Sequence, residues 1–122
     1  MVTLLTGPGS HAPLLSEVLR REGYLAQMVS YFPNWEVCDA QGRRIDAVRA
    51  YRWLTWALWA VWRRIPFVGG SEHPRAWHFA LSDWLTLQRV SPTPVLWAWW
   101  GTSLYTMRHW RQKGCTILLE VP

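Results

Sequence analysis

Short apolar runs alternate along this chain with segments of helical spacing, and glycine or proline stands at most of the junctions. Val2 to Thr6 is a β-branched and aliphatic run that meets Gly7-Pro8-Gly9-Ser10, and Leu14, Leu15, Val18 and Leu19 then recur on one helix face. Ser10 is placed to cap that helix, Pro13 fits its first turn, and Gly23 stands where a terminating glycine belongs. Residues 25–31 predict a second strand stopped by Pro33, so the opening reads as a right-handed βαβ unit. Residues 34–44 have no strong period and predict a loop or weak hairpin. A helical excursion over 46–90 follows. Its first helix, 46–65, places Ala47, Ala50, Tyr51, Leu54, Ala57, Leu58 and Val61 on a core face; its second, 74–90, aligns Trp77, Ala80, Leu81 and Trp84. Val95 to Trp99 is a continuous apolar run of the kind buried in parallel sheets. Gly101-Thr102-Ser103 opens a last helix with Leu104, Met107 and Trp110 inward and Gly114 as its stop, and Cys115 to Glu120 is a fourth strand.

Strands separated by helices imply an α/β fold, here a Rossmann-like parallel sheet of about four strands with helices on both faces. A length of 122 residues allows one domain, 1–122, with one core. Ligands of such sheets bind beyond the C-terminal strand ends where the strand order reverses. If the excursion returns the chain to the far side of the first strand, that reversal lies between Val2–Thr6 and Val95–Trp99. Two loops then flank the crevice: Gly7, Pro8, Gly9, Ser10 and His11 on one side, Trp99, Trp100, Gly101, Thr102 and Ser103 on the other. Each begins a helix, whose backbone N–H groups suit a phosphate or a sugar hydroxyl. The spacing Gly7-x-Gly9-x-x-Ala12 also fits a dinucleotide fingerprint, but Ser30-Tyr31-Phe32-Pro33 offers no acid for a ribose. A nucleotide-binding module is therefore the rival reading.

Composition narrows the partners. Half the residues are hydrophobic, yet no run approaches the length of a membrane span, and a short apolar start without a basic leader predicts a cytoplasmic protein. The net charge of +5, from twelve Arg and one Lys, points to an anionic partner. Opposite the predicted core stripe of the 46–65 helix, Arg49, Arg52, Trp56, Trp59 and Arg63 gather on one face. That mix suits acidic headgroups, so peripheral association with the inner membrane face, or a non-enzymatic membrane-associated interaction protein, is a further alternative. The eleven tryptophans are first of all expected to fill the core. Cys38 and Cys115 predict structural thiols rather than a disulfide. His11, His73, His78 and His109 converge on no metal-ligand spacing and read as surface or loop histidines, so no metal is assigned. No hydrolase elbow and no nucleic-acid-binding motif is present, so no nucleic acid is expected as partner.

Two stretches carry a resemblance. The opening from Val2 to His11, with Leu19-Arg20-Arg21-Glu22-Gly23-Tyr24, resembles the start of the N-terminal, acceptor-side domain of family 4 glycosyltransferases. The run from Pro94 to Leu104, then Arg111-Gln112-Lys113-Gly114-Cys115-Thr116-Ile117-Leu118-Leu119-Glu120, is similar to that domain's later strand, helix and strand. The resemblance implies one half of the two-domain GT-B architecture, moving sugar from a nucleotide-sugar donor to a glycan or lipid acceptor, with no other cofactor. It implies donor-phosphate or acceptor contacts by Gly7, Gly9, Ser10 and His11, and an acceptor pocket at Trp99, Trp100, Gly101, Thr102 and Ser103. Many relatives carry a histidine near the end of the strand matched by Val95–Trp99, where this chain has Trp97, Trp99 and Trp100. A C-terminal donor-binding half, in the same or another chain, is the implied partner, and without it no transfer is expected. The apolar edge from Cys115 to Glu120 suggests a homodimer as well.

Overall fold

The computed structural model describes residues 1–7, 11–31, 34–45, 49–64 and 73–121. In chain order the elements are β1 (Val2–Thr6), α1 (Ala12–Arg21), β2 (Leu25–Ser30), β3 (Glu36–Asp39), α2 (Arg49–Arg64), α3 (His73–Arg89), β4 (Val95–Trp99), α4 (Leu104–Gln112) and β5 (Thr116–Glu120). They build an α/β fold on one mixed sheet of order β3-β2-β1-β4-β5. β1 lies between β2 and β4, parallel to both, and β5 extends the parallel set beyond β4. This arrangement is compatible with a Rossmann-like fold.

The expected parallel sheet of about four strands is corrected by β3, which pairs antiparallel with β2 at one edge. Two things build it from the stretch read as a loop or weak hairpin. Val37 anchors it in the core, and the Asp39 carboxylate closes the following turn by accepting the backbone N–H groups of Gln41 and Arg43 at 2.9 Å. A four-residue strand is too short to show a period.

Alternation along the strands makes two cores, one on each face of the sheet. Leu5, Val29, Leu96 and Ala98 face Leu85 of α3 and Trp110 of α4, whereas Leu4, Leu25, Met28 and Trp97 face Ala12, Leu15 and Leu19 of α1. Helices therefore cover both faces, as expected from right-handed crossovers that diverge from β1. Helix termination also follows the sequence. Gly23 and Gly114 take φ of +78° and +86°, and Tyr24 N–H and Cys115 N–H reach back to the Leu19 and Trp110 carbonyls, closing Schellman-type ends.

The helical faces depart from the apolar pattern. Among the described side chains of α3 the buried ones are His78, Ser82, Asp83, Leu85 and Thr86, while Trp77 and Trp84 point to solvent. Among the described side chains of α2 the buried one is Thr55; Leu54 and Val61, expected inside, are exposed, and Arg52 and Trp59, expected outside, are half-buried. Leu14 and Val18 of α1 and Leu104 of α4 are likewise exposed. Hydrogen bonds make the Thr55 and Thr86 hydroxyls tolerable inside. Trp35 donates its backbone N–H to Thr55 Oγ1 at 2.9 Å and its indole Nε1–H to Thr86 Oγ1 at 3.0 Å, and Thr86 donates to the Ser82 carbonyl. His78 is buried too, with Nε2 on the Tyr31 carbonyl, which corrects its reading as a surface histidine.

Core filling describes only part of the tryptophan content. Trp35 and Trp110 are fully buried, but Trp53, Trp56, Trp77, Trp84 and Trp100 are each at least 45 % exposed. Cys38 and Cys115 are half-buried thiols. Among the described residues no helix is long and apolar enough to cross a membrane.

Candidate functional site

Strand order reverses between β1 and β4, because β1 leads through α1 to β2 on one side while β4 leads through α4 to β5 on the other. Gly7 and Trp99, where the two expected loops start, therefore stand side by side. Gly7, at the end of β1, lies so near Trp99 of β4 that a Cβ there would stand 2.7 Å from the indole Cδ1. His11 donates its backbone N–H at 3.3 Å, and its ring Nδ1 at 2.7 Å, to Glu120 Oε1 at the end of β5. Trp100 N–H completes the junction by donating to the Glu120 carbonyl at 3.0 Å. Three strand ends and the start of α1 thus converge at one end of the sheet.

The charges at this end differ from a phosphate cradle. Glu120 places a carboxylate against the N-terminus of α1. At α4 the equivalent position is occupied by Asp83 of α3, which accepts Tyr105 N–H at 2.8 Å, Thr106 N–H at 3.1 Å and the Thr106 hydroxyl. Ser103, the residue preceding α4, makes no side-chain cap. The helix dipole that was expected to attract a ligand anion is therefore met by an internal carboxylate. Burial raises the Asp83 pKa above the ordinary carboxylate range, and these hydrogen bonds pull against that rise. The same burial, with the Asp83 charge second, pushes the neighbouring Tyr31 hydroxyl well above the ordinary phenol range.

The predicted site residues separate on this geometry. Gly7 and His11 lie at the cleft; Gly9 and Ser10 fall outside the described residues, as does Ser10's expected capping role. His11 itself precedes α1 as its cap residue. Trp99 is half-buried behind Gly7, Trp100 is exposed, and Gly101 turns the chain between them and α4. Thr102 and Ser103 are buried, at 7 % and 0 % exposure, so they shape the loop and do not line an open acceptor pocket. Thr102 donates to the Trp99 carbonyl at 3.1 Å, which holds the turn. Beside the cleft, a surface cavity of about 520 Å³ includes Thr6, Gly7, Ser16, Glu17, Arg20 and Ser30 in its lining.

Arg52 pairs with Glu36 at 3.2 Å, and Arg63 lies over the half-buried Trp59 ring at 5.3 Å. Trp56 is exposed, and the Arg49 side chain lies outside the description. Sequence reasoning missed Asp83 and Glu120 as parts of the site. Glu120 carried a signal, an acid at the C-terminal end of the last strand, where switch-point rules place ligands. Asp83 carried none, since it reaches α4 from a different helix.

No family model matches this chain, and neither the curated proteins nor the solved structures contain a match.

Proposed function

We propose that the cleft between the ends of β1 and β4 is the acceptor side of a glycosyltransferase that uses a nucleotide-sugar donor. The observation that carries this reading is the meeting of Gly7, His11, Trp99 and Glu120 at the reversal of strand order. The resemblance in sequence covers the strands and loops that form it. The carboxylates bear on the choice between readings. Glu120 at α1 and Asp83 at α4 oppose a diphosphate at both helix starts, which disfavours the nucleotide-binding alternative for this half. Sugar hydroxyls suit the Glu120 carboxylate, which accepts their hydrogen bonds, and Trp100 offers an exposed ring face.

In this reading the donor phosphates are held by a second, C-terminal half, and the reaction occurs between the halves. Positioning two reactants accounts for about 7–11 kcal/mol of a barrier, so this chain alone transfers no sugar. The test is an assay of the 122-residue chain with a panel of nucleotide sugars and glycan or lipid acceptors, with and without a donor-binding half. Transfer that requires both parts, and falls on Glu120→Ala, is the expected result. Robust turnover by the chain alone, or tight binding of a dinucleotide to it, overturns the reading.

A further inference from the structure

α2 forms a second concave surface beside β3. Asn34, Arg52, Trp53 and Trp56 line a pocket of about 300 Å³, within the range that small-molecule sites occupy. Trp53 and Trp56 are 67 % and 45 % exposed, and their rings meet edge to face with centroids 5.6 Å apart and planes at 84°. Two indoles at right angles make an apolar corner. The polar wall opposite them is held in place by one carboxylate oxygen: Glu36 Oε1 accepts from Asn34 Nδ2 at 2.9 Å and stands 3.2 Å from Nη2 of both Arg44 and Arg52. Asn34 keeps its amide oxygen as an acceptor, and Arg52 keeps guanidinium N–H groups beyond the one directed at Glu36.

We propose that this pocket binds a pyranose ring of a glycan, its C–H face on the Trp53–Trp56 corner and its hydroxyls at the Asn34 amide and the Arg52 guanidinium. A pyranose combines an apolar ring face with a polar rim, which is the combination these four side chains offer. A purely apolar ligand leaves the amide and guanidinium unanswered on desolvation. Glu36 already compensates part of the arginine charge, which weakens the pull on an acidic headgroup. A bilayer surface, for its part, meets convex apolar faces, whereas this surface is concave. The pocket opens at the same end of the sheet as the cleft, since Glu36 pairs with Ser30 at the C-terminal end of β2. Its use as a second foothold for the acceptor rests on the glycosyltransferase reading; sugar binding itself does not.

The experiment is an NMR titration of the full chain labelled with ¹⁵N, following the indole N–H signals of Trp53 and Trp56, assigned from single Trp→Phe variants. The probes are trisaccharides of glucose, galactose and N-acetylglucosamine, with glycerol as control, and anionic phosphatidylglycerol vesicles in a separate arm. At least one trisaccharide shifts both signals while glycerol does not. Trp53→Ala or Trp56→Ala weakens that binding about tenfold, and Asn34→Ala weakens it as well. Both tryptophans are exposed, so the thermal midpoint of these two variants stays close to wild type, which separates lost binding from lost folding. Indole signals silent to every trisaccharide, trisaccharide-induced shifts of backbone amides that persist undiminished in the Trp53→Ala/Trp56→Ala double variant, or a response to vesicles but not to sugars each overturn the proposal. Sugar binding without transfer leaves this pocket standing and counts only against the glycosyltransferase reading; transfer without sugar binding here does the reverse.

Discussion

At Gly7 the backbone of β1 approaches the Trp99 ring closely enough that an added Cβ lies 2.7 Å from Cδ1 and 3.2 Å from Cγ. Gly7→Ala therefore forces the indole to move, at a cost of about 1–3 kcal/mol measured by urea unfolding. In a Trp99→Leu background the same substitution loses most of its effect, and a double-mutant cycle reads the difference. Asp83 acts through hydrogen bonds. Asp83→Ala leaves Tyr105 N–H, Thr106 N–H and the Thr106 hydroxyl without their acceptor and costs about 2–4 kcal/mol. Its pH dependence has a definite sign. Because burial raises the folded pKa, the folded chain binds this proton more tightly than the unfolded chain. The contribution is full below the ordinary carboxylate range and is lost as pH rises through the raised folded value. Asp83→Asn should flatten that part of the stability profile, and an unchanged slope in the variant would assign it to another group.

The elements show how a helix can bury its polar side. On α3, His78, Ser82 and Thr86 follow one another at i, i+4 spacing toward the sheet, while Trp77 and Trp84, seven residues apart, face outward. Apolar periodicity selects the wrong face here, since it counts transfer energy and not hydrogen-bond partners. Thr86→Val keeps the shape but removes the acceptor for the Trp35 indole N–H at 3.0 Å, and is expected to cost about 1–3 kcal/mol. Trp84→Gln removes a large apolar side chain and is expected to change stability by less than about 0.5 kcal/mol, because it is 52 % exposed. The opposite order in thermal or chemical unfolding would mean that the helix packs through its tryptophans.

For the whole molecule, the open question of assembly lies at β5. Among the described residues β5 pairs with β4 alone, and it presents Leu118 and Leu119 at 40 % and 45 % exposure. An apolar strand with free hydrogen-bonding groups on one side recruits another strand. Sedimentation is expected to show concentration-dependent self-association of the wild-type chain. Leu118→Lys, which sets like charges against each other at that edge, is expected to shift it toward monomer with little change in unfolding. Self-association unaltered by the lysine would place the interface elsewhere, the exposed Trp77 and Trp84 of α3 being the next surface to mutate.

The sequence alone determined the order of the strands and helices other than β3, the glycine ends of α1 and α4, and the pairing of loops at Gly7 and Trp99, because each rests on local chain chemistry or on the handedness of crossovers. The register of β3 was beyond it, since a strand of four residues has too few positions to alternate visibly. Which faces of α2 and α3 turn inward was decided only in three dimensions, by Trp35 finding Thr55 and Thr86 and by Asp83 finding the start of α4. The charge of the cleft was decided the same way. Glu120 and Asp83 are far in sequence from the helix starts they occupy, and only the packing of the sheet and α3 brings those carboxylates to the N–H groups that lacked partners.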